Sequence, residues 1–93
     1  MDLILPVNGV YFDQIADGSK RYEFRLRTPY WQKRLEGRTY DHVFVTRGYP
    51  RRDDATRRLI RPWRGYELQT IIHPHFGPTP VEVYAIHVGG EAA

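Results

Sequence analysis

From Lys20 to Arg27 the chain alternates with a period of two: Tyr22, Phe24 and Leu26 fall on one side, and Arg21, Glu23, Arg25 and Arg27 on the other. Only an extended strand puts residues two apart on one face, so this segment predicts a half-buried β-strand with an aromatic core face. Its second face carries charges of both signs. Helix punctuation brackets it. Asn8 is placed to cap a helix from about Gly9 to Ala16, with Val10, Tyr11 and Ile15 as an apolar stripe widened by Phe12, and Gly18 stops it. Thr28-Pro29 opens a second helix, with the cap followed by proline at the first position, running through Tyr30, Trp31 and Leu35 to Gly37.

Leu3–Val7 reads as a short buried first strand, Asp41–Thr46 as a third, and Tyr66–Ile72 and Val81–Val88 as the last two. Arg51–Ile60 has too little apolar content to decide between a short helix and an ordered loop. The stretch His73–Pro80 holds three prolines, which lack backbone donors, and is expected to stay out of a sheet interior. No crossover helices separate the later strands, which argues against a parallel sheet. The expected fold class is α+β: a small open β-barrel of about five strands with two or three short helices, one domain over residues 1–88, and a frayed tail over 89–93.

The absence of cysteine among 93 residues excludes a disulfide scaffold, a thiolate nucleophile and a cysteine-ligated metal. No apolar run approaches the roughly 20 residues that span a bilayer, and the N-terminus lacks a signal-peptide pattern, so the expected setting is the cytoplasm with no membrane partner. The net charge is +3, with 12 Arg and only 2 Lys in the basic set. Seven of the arginines lie between Arg47 and Glu67 against three acidic residues. Such a segment attracts polyanions, although a solvated face looks the same.

The strongest local signal is Gly18-Ser19-Lys20-Arg21-Tyr22-Glu23-Phe24-Arg25, a helix stop feeding straight into a strand. The pattern G-x-K-x-x-E-x-R resembles the ASCH domain, a relative of the PUA fold. The Tyr11–Ile15 helix before it, Tyr30-Trp31 after it, Gly48-Tyr49 and the later strand order are also similar to that family, so the likeness spans residues 2–88. The resemblance implies a PUA-like open barrel with a charged cleft and a role in RNA metabolism. One branch of the family removes the acetyl group from N4-acetylcytidine with a lysine, a threonine and a glutamate; another cleaves RNA. Lys20 matches the motif lysine. Glu23 stands where the amidohydrolase branch has threonine, a departure toward the more general ASCH pattern.

Read as chemistry, Lys20, Glu23 and Arg25 form one constellation, because Glu23 and Arg25 share a strand face and Lys20 stands at the strand's start. A lysine desolvated beside an arginine gives up its proton more readily, while the ionised form binds phosphate or an oxyanion. Metal-independent hydrolysis of an amide or phosphodiester would use Lys20 as base or electrophile, Glu23 as orienting acid or base and Arg25 as anion clamp. An ordinary surface ion pair is the plainer alternative. Tyr49, Glu67, His73 and His75 are expected at the rim as ligand-binding residues. His73-x-His75 is half of a metal pattern, but no third ligand lies nearby, so no metal or other cofactor is expected. Tyr49, Trp63 and Tyr66 interleave with arginines in a way that suits base stacking, although Trp63 and Tyr66 suit a core equally. The expected partner is RNA or a nucleotide-like ligand. The alternative is a non-catalytic protein-interaction or accessory module, as in a small phage protein, whose arginines meet an acidic partner.

Overall fold

Leu3, Leu5 and Val7 point inward from the first strand, β1 (Leu3–Val7), while Ile4 between them is 58% exposed. β1 runs parallel to β3 (His42–Arg47) with Leu5 opposite Val45, and β3 pairs antiparallel with β4 (Arg58–Pro62). The second sheet is antiparallel, in the order β2 (Tyr22–Leu26), β6 (Gly77–His87), β5 (Tyr66–His73). Two helices, α1 (Gly9–Asp17) and α2 (Pro29–Leu35), flank β2 in the chain. This computed structural model describes residues 1–89. It is a small α+β fold of six strands in two sheets and two helices, and among the described residues no ladder joins the two sheets into a closed barrel. No helix among those residues is long and apolar enough to cross a membrane.

The core lies between the sheets. Leu3, Leu5, Val7, Val43 and Val45 meet Tyr84, Ile86 and Val88 there, with Phe12 and Ile15 from α1 and Leu35 from α2. Both helices are capped as their sequences dictate. The Asn8 side chain accepts from the Tyr11 N–H at 2.9 Å, and Gly18 closes α1 in the left-handed region at φ 89°. Thr28 caps α2 ahead of Pro29. Because Asn8 fixes the entry of α1, Asn8→Ala is expected to cost about 1 kcal/mol of unfolding free energy and Asn8→Gly only a few tenths, read from urea midpoints. The end of α2 is tied to β6: Glu36 accepts from the Tyr84 hydroxyl and pairs with Arg27 at 2.9 Å. Those two donors hold the Glu36 carboxyl below its ordinary range.

Four expectations are corrected. First, the core-facing side of β2 is its charged side. Glu23 lies opposite Ile86 and Arg25 opposite Tyr84, two fully buried core residues, and Glu23 itself is only 6% exposed. Tyr22, Phe24 and Leu26 are half-buried on the other side. A period of two identifies two faces without saying which turns inward. Second, there are six strands. Arg51–Ile60 passes through a 3-10 turn (Ala55–Arg57) into β4, whose single inward apolar contact, Leu59 opposite Val45, is too little to mark a strand locally. Third, β6 begins at Gly77 instead of Val81, so Pro78 and Pro80 lie in a strand, though not in the interior of the sheet. β2 stops at Leu26 opposite Val83, so the start of β6 has a strand neighbour on one side only, and the β5 ladder is irregular there. Missing donors are tolerated at such an edge. Fourth, Val10, expected in the apolar stripe of α1, is 64% exposed, while Phe12 and Ile15 are buried as expected. At the C-terminus Gly89 is buried against Arg21; residues 90–93, the rest of the expected frayed tail, lie outside the described residues.

Candidate ligand cleft

β2 is one of the two edge strands of its sheet, and its free edge faces β1 across a cleft of about 560 Å³. Because the cleft runs along an edge, it collects side chains from both faces of β2, from Glu23 through Leu26, together with Pro6, Val7 and Asn8 at the end of β1. The strands are bridged by one side chain, since Arg25 Nη2 donates to the Pro6 carbonyl at 2.6 Å.

The same nitrogen donates to Glu23 Oε2 at 2.9 Å, and Lys20 Nζ lies 3.7 Å from the other carboxylate oxygen, Oε1. The three side chains are 20%, 8% and 13% exposed, in the order Arg25, Glu23, Lys20. Glu23 is thus a buried carboxylate between two cations. Burial pushes its pKa up, and Arg25 and Lys20 pull it back only in part. Burial likewise lowers the Lys20 pKa against the opposing attraction of Glu23, with Arg25 adding a smaller push in the same downward direction. Arg25 Nε is buried without a hydrogen-bond partner among the described residues, an unmet donor of the kind that folded cores avoid.

Aromatic rings complete the walls. The Lys20 ammonium stands 4.8 Å from the Tyr11 ring centre and 4.9 Å from that of Phe24, and the Arg25 guanidinium lies 5.1 Å over Trp31. These cation–π contacts return part of the lost hydration of both cations. Lys20 is held in place from behind as well: its backbone N–H donates to the Gln14 carbonyl, so the strand start is fastened to the end of α1.

The structure brings six of the seven residues singled out in the sequence to this cleft. Lys20, Glu23 and Arg25 form its floor, and Tyr49, His73 and His75 line it. Tyr49 is 91% exposed, a ring held at the mouth with little covering it. His73 packs near Tyr11, Phe24 and Phe76, and its Nδ1 accepts from the backbone N–H of His75 at 3.1 Å. Glu67 does not join them. It lies opposite Ala85 on the reverse face of the β5–β6 pair and faces His87 at 4.0 Å. Trp63 and Tyr66 pack on the core, against Tyr40 and Tyr84, away from any ligand role. Among the described residues, no group of three His, Asp or Glu side chains is arranged to hold a metal.

Tyr11 and Phe24, expected in the core, and Trp31, expected only as part of the second helix, are cleft walls. The basic stretch from Arg47 to Arg64 is largely structural. Arg47 pairs with Asp13 at 2.7 Å, Arg57 pairs with Asp54, and Arg58 and Arg61 donate to backbone carbonyls. Comparison with protein-family models, with curated proteins and with solved structures finds no match to this chain.

Proposed function

We propose that the chain is an ASCH-type, PUA-like domain that binds RNA or a nucleotide-like ligand in the cleft between β1 and β2. One observation carries this reading: two half-buried cations sharing one buried carboxylate lie on the floor of a cavity walled by Tyr11, Phe24 and Trp31. Rings accept the faces of an unstacked base, and the charged floor offers donors and one acceptor to its polar edge. A cavity of about 560 Å³ falls within the range of small-ligand sites. The match of Gly18, Lys20, Glu23 and Arg25 to the ASCH pattern supports the same reading from sequence.

Binding comes before catalysis in this proposal, because Glu23 is engaged by two cations. Hydrolysis is its extension. Burial lowers the Lys20 pKa, the direction a general base needs, and in this extension its neutral form takes the proton of an attacking water. The leaving amine or alkoxide recovers that proton as the amide or phosphodiester bond breaks, and Arg25 balances the negative charge formed in between. End-labelled single-stranded RNA, incubated with wild type and Lys20→Ala in EDTA and run on native and denaturing gels, tests both layers. A shifted band that Lys20→Ala loses supports the binding site, and cleavage by the wild type alone supports the hydrolase. The absence of both a shift and a cut would contradict the proposal.

A second reading, a non-catalytic protein-interaction module, has its own observation. Ile4, Phe44 and Ile60 lie side by side across β1, β3 and β4 on the outer face of that sheet, with Ile4 and Ile60 more than half exposed. On that reading an Ile4→Thr, Ile60→Thr variant loses a partner while RNA binding is untouched.

A further inference from the structure

The charges that suit a polyanion lie beside the cleft on α2 and just after it, outside the arginine-rich stretch of the sequence. A second, shallower groove of about 710 Å³ adjoins the cleft. Pro6, Arg25, Tyr30, Trp31 and Tyr49 line both, so the two are continuous. Its far side is Lys33, Arg34 and Arg38, all exposed. None of the three forms an ion pair among the described residues. Two of them are nevertheless held in place. Arg34 stacks 3.7 Å over the Tyr30 ring, and Arg38 Nε donates to the Lys33 carbonyl at 2.8 Å. Asp2 is the one acidic residue among those lining the groove, and its carboxylate is 3.3 Å from His42 Nδ1. The groove therefore has a strong excess of positive charge, with two exposed rings, Tyr30 and Tyr49, at its junction with the cleft.

We propose that this groove carries the sugar–phosphate backbone of a single-stranded nucleic acid whose base occupies the cleft, so that the protein engages several successive nucleotides. The inference rests on the cleft reading above and adds the path of the flanking strand. Rings at the junction suit the base next to the bound one, and unpaired cations beyond them suit its phosphates, the combination that single-strand binding surfaces use. Charge neutralisation of this kind shows itself in salt dependence, because each phosphate contact releases counterions.

The test compares a ribonucleoside monophosphate with a tetranucleotide of the same base, for each of the four bases, on wild type and on a Lys33→Gln, Arg34→Gln, Arg38→Gln variant. The wild type is expected to bind the tetranucleotide about tenfold or more tighter than the monophosphate at low salt, with a log–log salt slope about 2 units steeper than the variant's, at ~0.7 per single-strand phosphate contact. The variant is expected to keep the monophosphate affinity within about twofold and to lose most of the gain with length. A variant with Lys33→Arg alone, which keeps the charge, should behave as wild type. If the wild type gains nothing with length, or the glutamine variant keeps the full gain, the groove assignment is overturned and the cleft reading stands. If the wild type binds neither probe, both fall.

Discussion

Arg25→Met is expected to lower the unfolding free energy by about 3 kcal/mol or more at neutral pH, the scale for breaking a buried pair by removing one partner. The guanidinium has three roles at once: it bonds the Pro6 carbonyl, it holds one oxygen of Glu23, and it covers Trp31. Its loss leaves Glu23 buried beside Lys20 alone, 3.7 Å away and itself disfavoured as a cation by burial. For a chain of this size a few kcal/mol is a large share of the total. The cost should depend on pH, and its sign follows from proton counting. The Glu23 pKa is already raised in the folded state above its ordinary 4.5, so through that window the folded state holds the extra proton and stability falls as pH rises. Removing Arg25, its largest favourable charge, raises the folded pKa further. The penalty of Arg25→Met is then full above the variant's raised value and fades as pH falls from there toward the folded pKa of the wild type, below which Glu23 is neutral in both folded proteins. Glu23→Gln, which mimics the neutral acid, is expected to cost much less than Arg25→Met. Urea midpoints for the two variants across mild acid to neutral pH check this; equal losses at every pH would contradict it.

Lys20→Met is expected to separate stability from function. The ammonium is a penalised cation between two rings, and methionine is an unbranched apolar replacement that fills the same space. Glu23 keeps its bond to Arg25. The melting temperature should stay level or rise, while affinity for a nucleotide probe falls by about tenfold to a hundredfold, the worth of a hydrogen bond from a charged donor. Lys20→Arg sharpens the reading. It keeps the charge and removes the group that can give up a proton, so binding should persist while any cleavage disappears. Calorimetric melting together with probe titration measures both. A Lys20→Met protein that melts much earlier would place Lys20 in the framework instead of the binding site.

The caps and the floor of the cleft were legible because their causes are local. Asn8, Gly18, Thr28 and Pro29 fix helix ends through bonds within a few residues, and both helices fall where those residues put them. Lys20, Glu23 and Arg25 come together because they belong to one short strand and its entry. The orientation of β2 was not legible. Burying the charged side depends on mutual pairing of three residues and on the Pro6 carbonyl from a different strand, which no periodicity encodes. β4 and the proline-bearing start of β6 escaped for a related reason: each is defined by a partner strand distant in sequence, β3 for one and β5 for the other. The weight given to Arg47–Arg64 failed because charge counting ignores partners, and most of those arginines spend their donors on the fold, whereas Lys33, Arg34 and Arg38 sit in a short segment that reads as the ordinary basic last turn of a helix.

A titration of ¹⁵N-labelled protein with each of the four ribonucleoside monophosphates, followed by two-dimensional NMR, tests the cleft assignment most directly. Trp31 and Trp63 give two indole N–H signals, one from the cleft wall and one from the core beside Tyr40. The account predicts saturable shifts at the Trp31 indole and at the amides of Lys20, Glu23 and Tyr49 for at least one nucleotide, with the Trp63 indole unmoved and the response lost in Lys20→Met. No saturable shift with any nucleotide, or shifts confined to the outer face of β1, β3 and β4, would contradict it.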